Sequence, residues 1–363
     1  MAEVRTAHPY HVYDAIERQP ALIEKVLQAS RGAIERAAKA AAGKRRIIFA
    51  GIGTSLHAAR VAEGFLRHLT AGRAEARAEQ SFEFTNYPLA LSSEDAVVAI
   101  THTGTTRYSL AAIEAAKRAG AVAIAVVGEA SGEGTRRADF VIETCEQEVA
   151  FAYTKSYTAA LAALALFAIR VAALRNMLAD AQAEDSLLRV PGWVRESLAR
   201  EGEVRSAALE IAQRERIVIF GAGPAWPTAC EAALKIKEAC YIAAEGFETE
   251  EILHGPFSEI DSRAAMMAIL TGGEADERAR TILRAAGELK MLRVAVAPRE
   301  ANHDLAAEHV LETPAAPEWL AALTAVTPLY LATYHIALAR GINPDTGRQD
   351  QPPHAAAHKL YKL

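Results

Sequence analysis

Arg46-Ile47-Ile48-Phe49-Ala50-Gly51-Ile52-Gly53 and Arg216-Ile217-Val218-Ile219-Phe220-Gly221-Ala222-Gly223 begin 170 positions apart and read alike, each an apolar run closed by Gly-x-Gly before a helical pattern. The segments that follow also pair. Ala96-Val97-Val98-Ala99-Ile100-Thr101 answers to Ala265-Met266-Met267-Ala268-Ile269-Leu270, and Ala121-Val122-Ala123-Ile124-Ala125-Val126 to Met291-Leu292-Arg293-Val294-Ala295-Val296. Ala138-Asp139-Phe140-Val141-Ile142-Glu143-Thr144 matches Ala307-Glu308-His309-Val310-Leu311-Glu312-Thr313. Short continuous apolar runs between turns and helical stretches are the pattern of strands buried on both faces of a parallel sheet. Four matched elements in one order predict an α/β protein of two tandem domains related by duplication. Each is expected to be a doubly wound, three-layer αβα sandwich of the flavodoxin-like type.

A chain of 363 residues, 51% of them hydrophobic, can bury two full cores. The formal charge of −5 and the lack of a lysine or arginine cluster argue against a nucleic-acid surface. Residues 1–20 are polar and lack the apolar stretch of a secretory signal, and Ala159 to Ile169, which Arg170 ends, falls short of a membrane span. The three cysteines have no metal-ligand spacing, so reduced thiols in a cytoplasmic protein are expected. Neither a metal nor a cofactor is indicated. The expected layout is a helical lead-in over residues 1–42, a first domain over 43–178, a polar linker near 179–186, a second domain over 196–341 and a tail over 342–363.

The two halves differ in chemistry. Gly53-Thr54-Ser55 places two hydroxyls where the first strand turns into a helix whose apolar stripe is Ala62, Phe65, Leu66 and Leu69. Helix starts attract anions, but serine and threonine are also ordinary helix caps. A second turn, Thr101-His102-Thr103-Gly104-Thr105-Thr106, sets four more hydroxyls at the end of the next central strand, the edge at which open α/β sheets bind ligands. Together the two turns favour a phosphate. No Walker lysine follows, so a nucleoside triphosphate is not indicated. His102 can be structural or functional. The corresponding turns of the second half, Gly221-Ala222-Gly223-Pro224 and Thr271-Gly272-Gly273-Glu274, lack the hydroxyls, and Glu274 would repel an anion.

In the second half, Pro227 to Tyr241 reads as a helix with Ala229, Ala232, Ile236, Ala239 and Cys240 on its buried face. Glu231, Lys235 and Glu238 then fall on the opposite stripe, which by spacing alone reads as a solvated face with an ion pair. The run Glu231-Ala232-Ala233-Leu234-Lys235-Ile236-Lys237-Glu238-Ala239-Cys240-Tyr241, followed by Glu251-Ile252-Leu253-His254-Gly255-Pro256, resembles the isomerase halves of the glutamine:fructose-6-phosphate amidotransferases, within the sugar isomerase (SIS) family. The resemblance extends over nearly the whole chain, through Gly53-Thr54-Ser55, the 101–106 turn and Val149-Ala150-Phe151-Ala152-Tyr153-Thr154-Lys155.

The resemblance implies that Gly53, Thr54, Ser55, Thr101, His102, Thr103, Gly104 and Thr106 hold a sugar phosphate, with Ala152 and Thr154 beside the sugar. It implies a catalytic Glu238, with Lys235, and a His254 that reaches the active site of a neighbouring subunit, hence a homodimer. These residue types suit aldose–ketose interconversion: a carboxylate moves a proton between C1 and C2, a histidine helps to open the ring, and a lysine stabilises an enediolate or attacks a carbonyl. The chain departs from the family at His102 and Thr105, which replace a glutamine and a glutamate, and at Ala222, which replaces an arginine. The family's imine-forming tail lysine, counted from Asp350, would fall on Ala357; the nearest lysines are Lys359 and Lys362, and Lys359 is the candidate. The opening Met1-Ala2-Glu3 has no N-terminal cysteine, so a glutaminase domain is not expected. The implied function is an isomerase or deaminase of a hexose or amino-sugar 6-phosphate. A non-catalytic sugar-phosphate sensor, a fructosamine-6-phosphate deglycase and the isomerase subunit of a split synthase stand as alternatives.

Overall fold

The computed structural model describes residues 5–301 and 304–361; Lys362 and the opening Met1-Ala2-Glu3 lie outside them. Along the chain run α1 (His11–Glu17), α2 (Gln19–Ala29), α3 (Arg31–Ala42), β1 (Arg46–Gly51), α4 (Thr54–Leu69), β2 (Glu75–Gln80), α5 (Ser81–Asn86) and β3 (Asp95–Thr101). Next come α6 (Arg107–Arg118), β4 (Val122–Val127), β5 (Phe140–Glu143), α7 (Lys155–Leu174), α8 (Ala183–Leu198), α9 (Glu201–Ile211), β6 (Arg216–Gly221) and α10 (Ala225–Cys240). The chain ends with β7 (Ala243–Glu248), β8 (Ala264–Ile269), α11 (Asp276–Glu288), β9 (Leu292–Pro298), β10 (His309–Thr313), α12 (Ala321–Thr324), α13 (Val326–Ala339) and α14 (Pro352–His358).

Two compact units result. One, made of Gln19–Glu148 and Lys155–Pro191, carries an all-parallel sheet in the order β2-β1-β3-β4-β5. The other, made of the segment ending at Arg18, Val149–Thr154 and the chain from Gly192 onward, carries β7-β6-β8-β9-β10, also parallel and of the same order. The eight strands anticipated from apolar runs are the three inner strands of each sheet and one edge strand, β5 or β10. β2 (EARAEQ) and β7 (AAEGFE), each at the other edge of its sheet, escape that reading because charged residues interrupt their apolar positions.

In the first unit, Phe49 of β1 meets Phe167 of α7 edge-on at 6.3 Å, while Ile48 and Ala50 pack with Val97, Ala99, Ala112 and Ile113 on the other face. Strand alternation thus sets α4 and α7 on one side of the sheet and α5 and α6 on the other. In the second unit, Val218, Phe220, Met266 and Ala268 pack with Ile282 and Leu283 of α11, and α10 lies against α13. The helices after the two central strands of each sheet therefore flank its switch point, the crevice where open α/β sheets place ligands.

The lead-in does not stay together. α2 and α3 pack on α7, whereas α1 packs on α13, and both carboxylate oxygens of Asp345 accept its first N–H groups, from His11 and Val12, at 2.9 Å. The linker is shorter than its composition suggests, because α8 already begins at Ala183 and Asp180 turns the chain into it by accepting the Gln182 N–H. The apolar stretch Ala159–Ile169 is the middle of α7, which together with Glu318–Ala339 is long and apolar enough to cross a membrane. Both are largely buried within the protein, which is what the core helix of a folded domain looks like.

Candidate functional site

The turn after β1 is shaped by its glycines. A Cβ on Gly51 would lie 2.3 Å from the Ser55 carbonyl, so the strand runs directly under the first turn of α4, and Gly53 takes φ +57° to enter it. Thr54 and Ser55 stand half-buried in that first turn. Across the β1–β3 pair, β3 ends on Thr101 and the loop runs to Thr106, which precedes the first turn of α6. Two hydroxyl-bearing turns thus stand on adjacent central strands, each feeding a helix start whose dipole favours an anion.

Thr101 is buried, and its Oγ1 has no hydrogen-bond partner among the described residues. A buried hydroxyl left so costs about 1–3 kcal/mol, which a ligand oxygen would recover. Thr103 Oγ1 accepts from the Thr105 hydroxyl at 2.8 Å, and the Thr103 carbonyl accepts the Gly132 N–H. Gly104 adopts φ +67° and fits against residues 131–132, where a Cβ would stand 2.7 Å from Ser131 Cβ and 2.8 Å from the Gly132 nitrogen. Gly104→Ala is therefore expected to cost about 1–3 kcal/mol and to lower phosphosugar affinity, read by thermal denaturation and by titration with a sugar phosphate. His102 faces the chain before α7: its Nε2 accepts the Glu148 N–H at 3.1 Å.

The equivalent turn of the second unit is filled from within. The Asp276 carboxylate accepts the N–H groups of Thr271 at 3.1 Å and Gly272 at 2.8 Å. Burial pushes this carboxyl above its ordinary value, against the two N–H bonds that favour its charge. Asp276, rather than the Glu274 that the sequence points to, is the carboxylate that occupies the N–H donors of this turn.

Glu231, Lys235 and Glu238 lie on α10, and the stripe that reads as solvated is largely covered. Glu231 is 0% and Lys235 2% exposed, because α13 packs over that side. The Tyr330 hydroxyl of α13 donates to Glu231 Oε1 at 3.1 Å. Lys235 Nζ stands 3.6 Å from Glu231 and donates to Glu238 Oε2 at 2.6 Å, and Glu238, its side chain 22% exposed, is the member that solvent reaches. A buried cation therefore orients an accessible carboxylate. Tyr330 could not be found from spacing, since it comes from a separate helix. Glu238 is thirteen residues beyond Ala225 on the 16-residue α10, so it stands about 20 Å from the crevice of its own sheet.

His254 sits elsewhere in this unit. It follows a short 3-10 turn, Glu251–Leu253, is 68% exposed, and lies 3.5 Å from Glu250, which Arg278 also holds. Gly255 after it takes φ +128°. Ala152 and Thr154 are buried in the second-sheet unit, where the Phe151 N–H donates to the Asp345 carbonyl and a Cβ on Gly347 would strike the Phe151 ring. The tail is held at the end of α10: the Arg348 N–H donates to the Tyr241 hydroxyl at 2.8 Å, and its guanidinium lies over that ring. Lys359, the cap of α14, is exposed. The structure thus joins Lys235 and Glu238, and separately groups Thr54, Ser55 and the 101–106 loop in one unit.

The family model described as "SIS domain" matches residues 42–170 and 210–340, one match on each sheet. The chain belongs to the SIS domain family. This SIS protein is 31% identical over 354 residues to a glutamine–fructose-6-phosphate aminotransferase (isomerizing) of Thermococcus kodakarensis, and 29% identical over 350 residues to the protein of that name from Pseudomonas aeruginosa. The first alignment covers 96% of this chain and 58% of the relative, the second 92% and 56%. The chain thus spans well under two thirds of the curated relatives it matches. Among solved structures, the C-terminal domain of glucosamine-fructose-6-phosphate aminotransferase from Francisella tularensis matches with a TM-score of 0.85 at 23% identity, covering 93% of this chain and 99% of that one. Tagatose-6-phosphate ketose/aldose isomerase from Escherichia coli matches with a TM-score of 0.77 at 20% identity, covering 95% and 97%. At those identities the structural likeness speaks for the fold.

Proposed function

We propose that this SIS protein binds a hexose or amino-sugar 6-phosphate and moves a proton between C1 and C2 through an enediol or enolamine, as an isomerase or a deaminase. The observation that carries the reading is the Lys235–Glu238 pair: a carboxylate reached by solvent and held at 2.6 Å by a buried ammonium. Glu238 is the base that shuttles the proton, and Lys235 fixes it and favours negative charge nearby. Gly53, Thr54, Ser55, Thr101, Thr103, Gly104 and Thr106 hold the phosphate, and Ala152 and Thr154 border the sugar. His254, exposed on its turn, serves ring opening in the neighbouring subunit of a homodimer. Lys359 is the tail amine available to a ketose carbonyl. The protein works in the cytoplasm.

The family and the names of the matched relatives, one an isomerizing aminotransferase and another a ketose/aldose isomerase, support this chemistry. The test is NMR in D2O with fructose 6-phosphate, glucosamine 6-phosphate and galactosamine 6-phosphate, following deuterium wash-in at C1 and C2 and free ammonia. Exchange with ammonia release identifies a deaminase; exchange without it, an isomerase. Saturable binding with no exchange on any of the three would overturn the enzymatic reading in favour of a sugar-phosphate sensor.

A further inference from the structure

We infer that His102 is a positioning residue that latches the phosphate loop to the chain entering α7, an inference that rests on the phosphosugar reading above. Its Nε2 accepts the Glu148 N–H at 3.1 Å, so the ring proton resides on Nδ1. Its carbonyl accepts the Gly128 N–H at 2.9 Å and the Gln147 side-chain amide at 3.2 Å. The fit is close, since a Cβ on Gly128 would lie 2.6 Å from Nδ1.

The partner segment is itself anchored. The same Gln147 amide donates to the Glu129 carbonyl at 2.9 Å, Glu148 Oε1 accepts the Ser156 N–H at 2.8 Å in the first turn of α7, and Lys155 Nζ donates to Glu146 at 2.7 Å. Residues 101–106 are therefore gripped twice, by 128–132 through Gly104 and Thr103 and by 147–148 through His102. Burial, with the Lys155 ammonium, pushes the His102 imidazole down to about 4, Glu146 acting in the opposite direction, so the ring stays a neutral acceptor. A loop held in this way presents its hydroxyls and N–H groups to an anion without ordering them at the moment of binding. The sequence has a histidine where the resembling family has a glutamine, and either side chain offers one acceptor to the Glu148 N–H.

The experiment compares wild type with His102→Ala and His102→Gln in titrations with fructose 6-phosphate and glucosamine 6-phosphate, in wash-in kinetics, and in 15N NMR of the imidazole. The alanine variant is expected to raise the phosphosugar Kd about tenfold with kcat unchanged, and the glutamine variant to restore most of the affinity. The wild-type ring is expected to remain neutral at neutral pH, with the 15N signature of an Nδ1–H tautomer. Alanine binding like wild type, glutamine no better than alanine, or an imidazole titrating near its ordinary value would each overturn the latch. Should wild type bind no phosphosugar, the functional reading fails and the latch is judged by amide hydrogen exchange of residues 103–106: acceleration in His102→Ala supports it, and unchanged exchange overturns it. If the alanine variant does not fold, the glutamine variant and the wild-type ring spectrum decide.

Discussion

Glu238→Gln is expected to lower deuterium wash-in at C1 and C2 by about 10²- to 10⁴-fold while leaving phosphosugar affinity within about tenfold. The amide keeps the shape of the carboxylate and an oxygen able to accept from Lys235, which donates to Glu238 at 2.6 Å in the wild type. Only the capacity to take a proton is lost, and that capacity matters in the transition state rather than on binding. Thr103→Ala should behave inversely, weakening affinity first, because Thr103 belongs to the 101–106 loop and not to α10. Isotope exchange and binding titrations on the two variants check both expectations, with circular dichroism confirming that each is folded. Wild-type exchange in Glu238→Gln would remove Glu238 from the mechanism.

The inner strands of both sheets were legible because burial on two faces forces continuous apolar runs, and Ile47, Ile48, Phe49, Ile217, Val218 and Ile219 are all buried. β2 and β7 were not, since charged residues break up their apolar positions. The hydroxyl turns could be placed at strand ends from sequence, because each follows a continuous apolar run and precedes a stretch of helical spacing. The surroundings of α10 could not. Helical spacing shows which residues share a stripe, but whether that stripe meets water depends on α13, some 90 residues later, whose Tyr330 caps Glu231.

The duplicated halves have diverged along lines that the contacts make explicit. In the first, the turn after the second central strand keeps a buried Thr101 hydroxyl unmatched among the described residues; in the second, Asp276 accepts the N–H groups of Thr271 and Gly272 in the equivalent turn. An internal carboxylate can fill that cradle at no cost to Glu238, which stands at the opposite end of α10 from the crevice of its own sheet. The N–H donors at the second half's switch point are thus taken by its own carboxylate, and Glu238 lies toward the far end of the helix that follows β6.

Lys235→Met is expected to destabilise the protein by about 3–5 kcal/mol, the cost of breaking a buried ion pair from one side. Methionine fits the volume of the lysine stem, so packing changes little, but Glu231, 0% exposed, is left without the ammonium 3.6 Å away. The Tyr330 hydroxyl donates one hydrogen bond to Glu231 and carries no charge to offset it. Adding Glu231→Gln to Lys235→Met removes the charge that Lys235 offset while keeping an acceptor for Tyr330, so the double variant should recover most of the loss. Urea denaturation of the four proteins of this cycle gives the coupling energy directly. A Lys235→Met protein within about 1 kcal/mol of wild type would mean that the Lys235–Glu231 contact carries little of the stability, and that Lys235 is held for Glu238 alone.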